Sequence, residues 1–158
     1  TTITTPIVRP PPASTPLPRR RDTVRVLRVW DGQTFLVEGG YVVRLLGVAA
    51  PGAGVLGKPM EPGGSAAARR LSELVNGREV QLEEDVVDVD GDGFLWRYVY
   101  VGGLFVNAEM VRQGLARVEA GGHVLRHLAL LQELEATARA ERRGIWAAGV
   151  PQPTPPAG

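Results

Sequence analysis

The sequence contains no cysteine, one lysine and two histidines in 158 residues. Without cysteine there are no disulfides and no thiolate metal sites. The net charge of +1 leaves no global field to draw in nucleic acid or an acidic membrane. No apolar run approaches the ~20 residues needed to span a bilayer. There is no initiator methionine and no charged-then-apolar leader, so a chain starting at Thr1 reads as a processed product, expected at the cell surface or outside the cell. What is present supports one domain with a real core, since 44% of the residues are hydrophobic.

Proline is scarce where it matters. Of 13 prolines, only Pro51, Pro59 and Pro62 fall between the two ends. Proline lacks a donor and resists both helix and central strand, so the ends read as extended arms. The expected organisation is an arm over 1–21, a globular unit over 22–148 and a tail over 149–158.

Within the globular unit, strands are expected at 23–30, 34–38, 41–48, 79–84 and 95–101. In the first, Val24 and Val26 share one phase and Leu27 and Val29 the other, a slip that calls for a bulge. Ser65 is placed to cap a helix over 65–75 that Asn76-Gly77 ends. Asn107 is placed to cap a helix over 107–113. A last helix over 124–142 would put Val124, Leu128, Leu131, Leu134 and Ala138 on one face. Three strands, a helix, two strands and two closing helices make an α+β pattern around a partly open five-stranded barrel of the OB type.

Four stretches carry a resemblance. Val29-Trp30-Asp31-Gly32-Gln33-Thr34-Phe35 looks like an Asp-Gly-Asp-Thr hairpin. Val43-Arg44-Leu45-Leu46-Gly47-Val48-Ala49-Ala50-Pro51 looks like Arg-Leu-x-x-(Val/Ile)-Asp-(Thr/Ala)-Pro-Glu. Val106-Asn107, running on to Val111-Arg112-Gln113-Gly114-Leu115-Ala116, matches Val-Asn…Leu-Val-x-x-Gly-x-Ala, and Gly144-Ile145-Trp146 matches a closing Gly-(Ile/Leu)-Trp. Together they resemble the staphylococcal-nuclease-like (thermonuclease) family over about residues 23–147.

The resemblance implies phosphodiester cleavage with one Ca²⁺, two arginines and a glutamate. A hard cation takes carboxylate oxygens, a glutamate deprotonates or orients water, and arginine forks hold phosphate as charge develops. Position by position, only Arg44 survives. Gln33 replaces the second aspartate of the hairpin, Ala49 the aspartate before the Thr-Pro position, Gly52 the glutamate and Phe94 the second arginine. The family resemblance thus reads as that of a catalytically degenerate member, with Arg44 as an anchoring residue and Asp31 as a turn residue.

Other residues suggest sites of their own. Asp88, Asp90 and Asp92, followed by Gly93, open like a Ca²⁺-binding loop, although Val99 stands where the bidentate Glu is needed. His123 and His127 are four apart but lack the usual companion glutamate. Ile3, Ile7 and Val8 make the N-terminal arm β-prone and apolar, suited to docking on a neighbouring copy of the same protein.

The function expected from these residues is therefore a non-catalytic assembly or protein-binding module that self-associates through its arm and requires no cofactor. The alternatives are a weak or altered Ca²⁺-dependent nuclease using Arg44, and a single-strand nucleic-acid binder that does not cleave.

Overall fold

A computed structural model describes residues 22–55 and 57–147. Ile3, Ile7 and Val8 lie outside the described residues. The first strand, β1 (Asp22–Asp31), is long enough to serve two neighbours. Its first half pairs with β5 (Glu79–Glu83), bringing Val24 opposite Val80. Its second half pairs with β2 (Thr34–Val37), bringing Val26 opposite Val37. The register shifts between Val26 and Arg28, where the alternation slips, and again before Asp31. The extra residues bend the strand, as a small barrel demands.

β3 (Val42–Leu45) continues from β2, and β6 (Leu95–Val101) continues from β5. A parallel pairing of β3 with β6 then closes five strands into a barrel, so the sheet is not left partly open. Outside it, β4 (Val48–Ala49) pairs with β8 (Arg117–Val118), and β7 (Leu104–Phe105) turns back on β6. Val26, Phe35, Val43, Leu45, Leu82 and Val99 fill the interior with no exposed surface. Each such burial is worth about 1.5–3 kcal/mol.

Three helices cover the barrel. α1 (Gly64–Val75) buries Ala67, Leu71 and Val75 and stops at Asn76, as expected. Its start differs from expectation. The cap position is Gly63 at φ 89°, and Ser65 lies inside the helix with its hydroxyl turned to the Met60 sulfur. The helix begins one residue early, at Gly64, which packs on the Gly52 carbonyl; a Cβ there would lie 1.8 Å from that oxygen.

α2 (Val106–Arg112) begins after Phe105, so Asn107 is a helical residue and not its cap. α3 (Leu128–Ala140) starts four residues later than expected. Leu125 takes the buried position in the preceding turn, and the Arg126 amide is tied to Asp85, leaving Val124 88% exposed. Leu131 and Ala138 remain the inward face. A 3-10 turn over Gly144–Trp146 seats Ile145 on the fold through its amide and the Gly114 carbonyl. Among the described residues no helix is long and apolar enough to cross a membrane.

Candidate active site around Arg44

The β1–β2 turn is held by Asp31, whose Oδ1 accepts the Gln33 amide at 2.9 Å. Gly32 lets the turn press inward, since a Cβ there would sit 2.5 Å from the Ala67 Cβ and 2.8 Å from the Ala50 Cβ. Gln33 is buried and joins this turn to the segment after β4. Its Oε1 accepts the Ala50 N–H at 2.8 Å, and its Nε2 reaches the Val48 carbonyl at 3.4 Å. A neutral amide therefore stitches together the positions 33, 48 and 50.

Arg44 sits on β3, opposite Thr34 on one side and Trp96 on the other. Its guanidinium carbon lies 4.4 Å from the centre of the Phe94 ring and 5.8 Å from that of Trp96. The ring faces hold the cation by their quadrupoles. Among the described residues no carboxylate pairs with it, and its buried Nε has no hydrogen-bond partner. The facing Thr34 hydroxyl is buried and unpartnered as well. Arg44 thus reaches from β3 to the aromatic side chains at 94 and 96. It is a half-buried cation stacked on aromatics with unused donor capacity.

Sequence reasoning gave Glu61 no role. In the structure its Oε1 accepts the Gly52 amide at 2.6 Å, while the Glu61 amide returns a bond to the Gly52 carbonyl at 2.9 Å. A Cβ on residue 52 would lie 2.3 Å from the Pro59 carbonyl and 3.3 Å from Glu61 Oε1. A side chain at 52 would thus meet the Pro59 carbonyl first and stand beside the Glu61 carboxylate. Its being the only carboxylate between Ala49 and Gly64 was the available signal.

The acidic loop is committed to other bonds. Asp90 accepts the Asp92 and Phe94 amides on Oδ1 and the Trp96 indole N–H on Oδ2. Asp88 pairs with the fully buried Arg97 at 2.8 Å. Asp90 is thus taken up in closing the hairpin and Asp88 in neutralising the buried Arg97, while Asp92 contributes only its backbone amide. Among the described residues no group of three acidic or histidine side chains could hold a metal ion.

The two histidines part company. His127 packs edge-on to Tyr98 at 4.5 Å and lies 3.3 Å from Glu83. His123 lines a cavity of about 260 Å³ with Leu46, Val87, Asp90, Trp96 and Ala120. Trp96 thus contributes to this cavity and to the Arg44 stack.

These features coincide with relatedness. The family model described as Staphylococcal nuclease homologue matches residues 42–148. The chain belongs to that family. It is 32% identical over 135 residues to "Probable endonuclease LCL3" of Clavispora lusitaniae, covering 81% of this chain and 57% of that protein. It is 28% identical over 130 residues to "Thermonuclease" of Staphylococcus intermedius, covering 80% and 77%. To "Endonuclease YncB" of Bacillus subtilis it is 42% identical over 95 residues, covering 58% and 45%. This chain spans only about half the length of the first and third of these relatives.

The relatives carry nuclease names, and this overturns the expectation of a non-catalytic assembly module. That expectation let the substitutions at 33, 49, 52 and 94 outweigh the cleavage that the resemblance implied.

The calcium expected of a staphylococcal nuclease homologue does not fit the hairpin. Gln33 and Ala49 bring no charge, Gln33 Oε1 already accepts an N–H, and Asp31 Oδ1 is spent on the turn. A hard divalent cation needs several anionic or free oxygens converging on it.

Proposed function

We propose that this chain is a weak, altered nuclease that hydrolyses phosphodiester bonds at Arg44. The observation that carries the reading is a guanidinium held on Phe94 and Trp96 with a buried, unsatisfied Nε. A phosphate oxygen brought to that cation would satisfy it, and the contact would strengthen as charge develops on the transferring phosphoryl group. The nuclease names of its relatives support the same reading. The cavity beside Trp96 suits a base taken out of its stack, which favours a single-stranded substrate. A centre with no carboxylate at positions 33 and 49 forgoes several kcal/mol of metal-derived stabilisation, so turnover is expected to be slow.

The test is incubation of labelled single-stranded DNA and RNA with the protein, with calcium and with chelator, beside an Arg44→Ala variant. Slow cleavage that Arg44→Ala abolishes is the expected result. Absence of cleavage, or cleavage that Arg44→Ala leaves unchanged, overturns the reading. Retention of the strand without cleavage would instead mark a single-strand binder.

A further inference from the structure

From the geometry at Gly52 we infer that Glu61 is the general base of the proposed hydrolysis. The inference rests on the nuclease reading above. Attack on phosphorus requires a group that takes a proton from water as the new bond forms. Around the β1–β2 turn the carboxylates have unequal freedom. Asp31 is 2% exposed and its Oδ1 holds the turn. Glu61 is exposed, and among the described residues only its Oε1 is engaged, by the Gly52 amide at 2.6 Å.

The placement of that carboxylate is fixed from three sides. The Glu61 amide bonds the Gly52 carbonyl, the Gly64 amide bonds the Glu61 carbonyl at 2.9 Å, and Ala53 bridges to Met60. The same segment is tied to the Arg44 strand. Ala50 hangs on Gln33, the Gln33 carbonyl accepts the Leu45 amide at 2.9 Å, and Leu45 follows Arg44. One oxygen is thus anchored to backbone, and to the other falls the task of meeting the water that attacks a phosphate held by Arg44.

The step balances without a further reactant. The water oxygen bonds to phosphorus, and the ester P–O bond breaks. One water proton passes to the free Glu61 oxygen. The leaving alkoxide takes a proton from solvent, and Glu61 returns its own to solvent.

The experiment follows steady-state cleavage of a fluorogenic single-stranded DNA by wild type, Glu61→Gln and Arg44→Ala, with pH–rate profiles and unfolding midpoints for each. Glutamine keeps an oxygen for the Gly52 amide but cannot take the proton. The expected result is a fall in kcat of about 100-fold or more with KM little changed, loss of the acid limb of the profile, and an unfolding midpoint like that of wild type. If Glu61→Gln keeps its kcat and pH profile while Arg44→Ala is dead, Glu61 only latches the loop and the inference is wrong. A midpoint lowered together with kcat overturns the inference as well. If wild type and Arg44→Ala are equally inactive, the nuclease reading falls and takes this inference with it.

Discussion

The guanidinium of Arg44 rests on the Phe94 ring, 4.4 Å from its centre. Phe94 stands where the family resemblance places a second arginine, so one cation now has a ring for company where two cations would have shared a phosphate. The stack should be measurable as a coupling. Arg44→Met, Phe94→Leu and the double variant, compared by urea unfolding, are expected to show about 0.5–1 kcal/mol of interaction. A coupling indistinguishable from zero would mean the ring is only a lid.

Gln33 should be a stability residue whatever the protein's activity. Gln33→Leu keeps the bulk but strands the buried Ala50 N–H, which now bonds Oε1 at 2.8 Å. The expected loss is about 1–3 kcal/mol. Unfolding at unchanged midpoint would show that the segment finds another acceptor.

Local rules reached most of the strands and the stop of α1 because those depend on neighbours in sequence. β6 spans the expected 95–101, and α1 ends at Asn76. The single strand expected over 41–48, however, breaks at Leu46-Gly47 into β3 and β4, and α3 ends at Ala140 and not at 142. The substituted positions 33, 49, 52 and 94 could also be read directly. What could not be read depends on long-range contact. Asn107 has the composition of a cap, yet its side chain is claimed by strands far away. Val124 fits the helical period, but the turn gives the buried place to Leu125. Glu61 meets Gly52 only because the loop between them closes, and no periodicity announces that.

Asn107 is the plainest consequence of such contacts. It is fully buried, accepts the Val99 amide at 2.9 Å and donates to the Leu46 carbonyl at 2.8 Å and the Arg97 carbonyl at 3.2 Å. It therefore ties α2 to β6 and to the end of β3. Asn107→Ala leaves the Val99 amide and the Leu46 carbonyl without this partner, while the Arg97 carbonyl keeps the Leu46 amide, and should cost about 2 kcal/mol or more. A cost below about 1 kcal/mol in urea unfolding would contradict that bonding.

Acid stability should depend on the cluster at the end of β5. Burial by itself would raise the Glu83 carboxyl, but hydrogen bonds from Tyr100 and His127 and the nearby charge of Arg126 hold it below its ordinary 4.5. Burial likewise opposes ionisation of Asp85, yet the Arg126 amide, the Tyr98 hydroxyl and the Val86 amide keep it below 3.8. The unfolded state then binds protons more tightly than the folded one. The stabilisation is complete above the ordinary carboxylate values and is lost as pH falls through the lowered ones. Urea midpoints followed from about pH 6 down to about pH 3 should drop, and Glu83→Gln should flatten that drop. An equal pH slope in the variant would remove Glu83 from the account.

Gly52 offers the sharpest contrast between the family pattern and this chain. The resemblance places a glutamate there, so Gly52→Glu looks like a repair. The backbone argues against it. A Cβ at 52 would come within 2.3 Å of the Pro59 carbonyl, a backbone atom that cannot swing away as a side-chain end would. The new carboxylate would also stand beside that of Glu61, whose Oε1 lies 3.3 Å from that Cβ, and would set two negative charges together. The loop would have to open, breaking the paired bonds between Gly52 and Glu61. Gly52→Glu is therefore expected to lower stability by about 1–3 kcal/mol and to lower cleavage of single-stranded DNA. Gly52→Ala, with the same clash and no added charge, should account for most of the stability loss. A Gly52→Glu protein as stable as wild type and faster on DNA would show that the loop yields easily, and that the glutamate's place is still open to it.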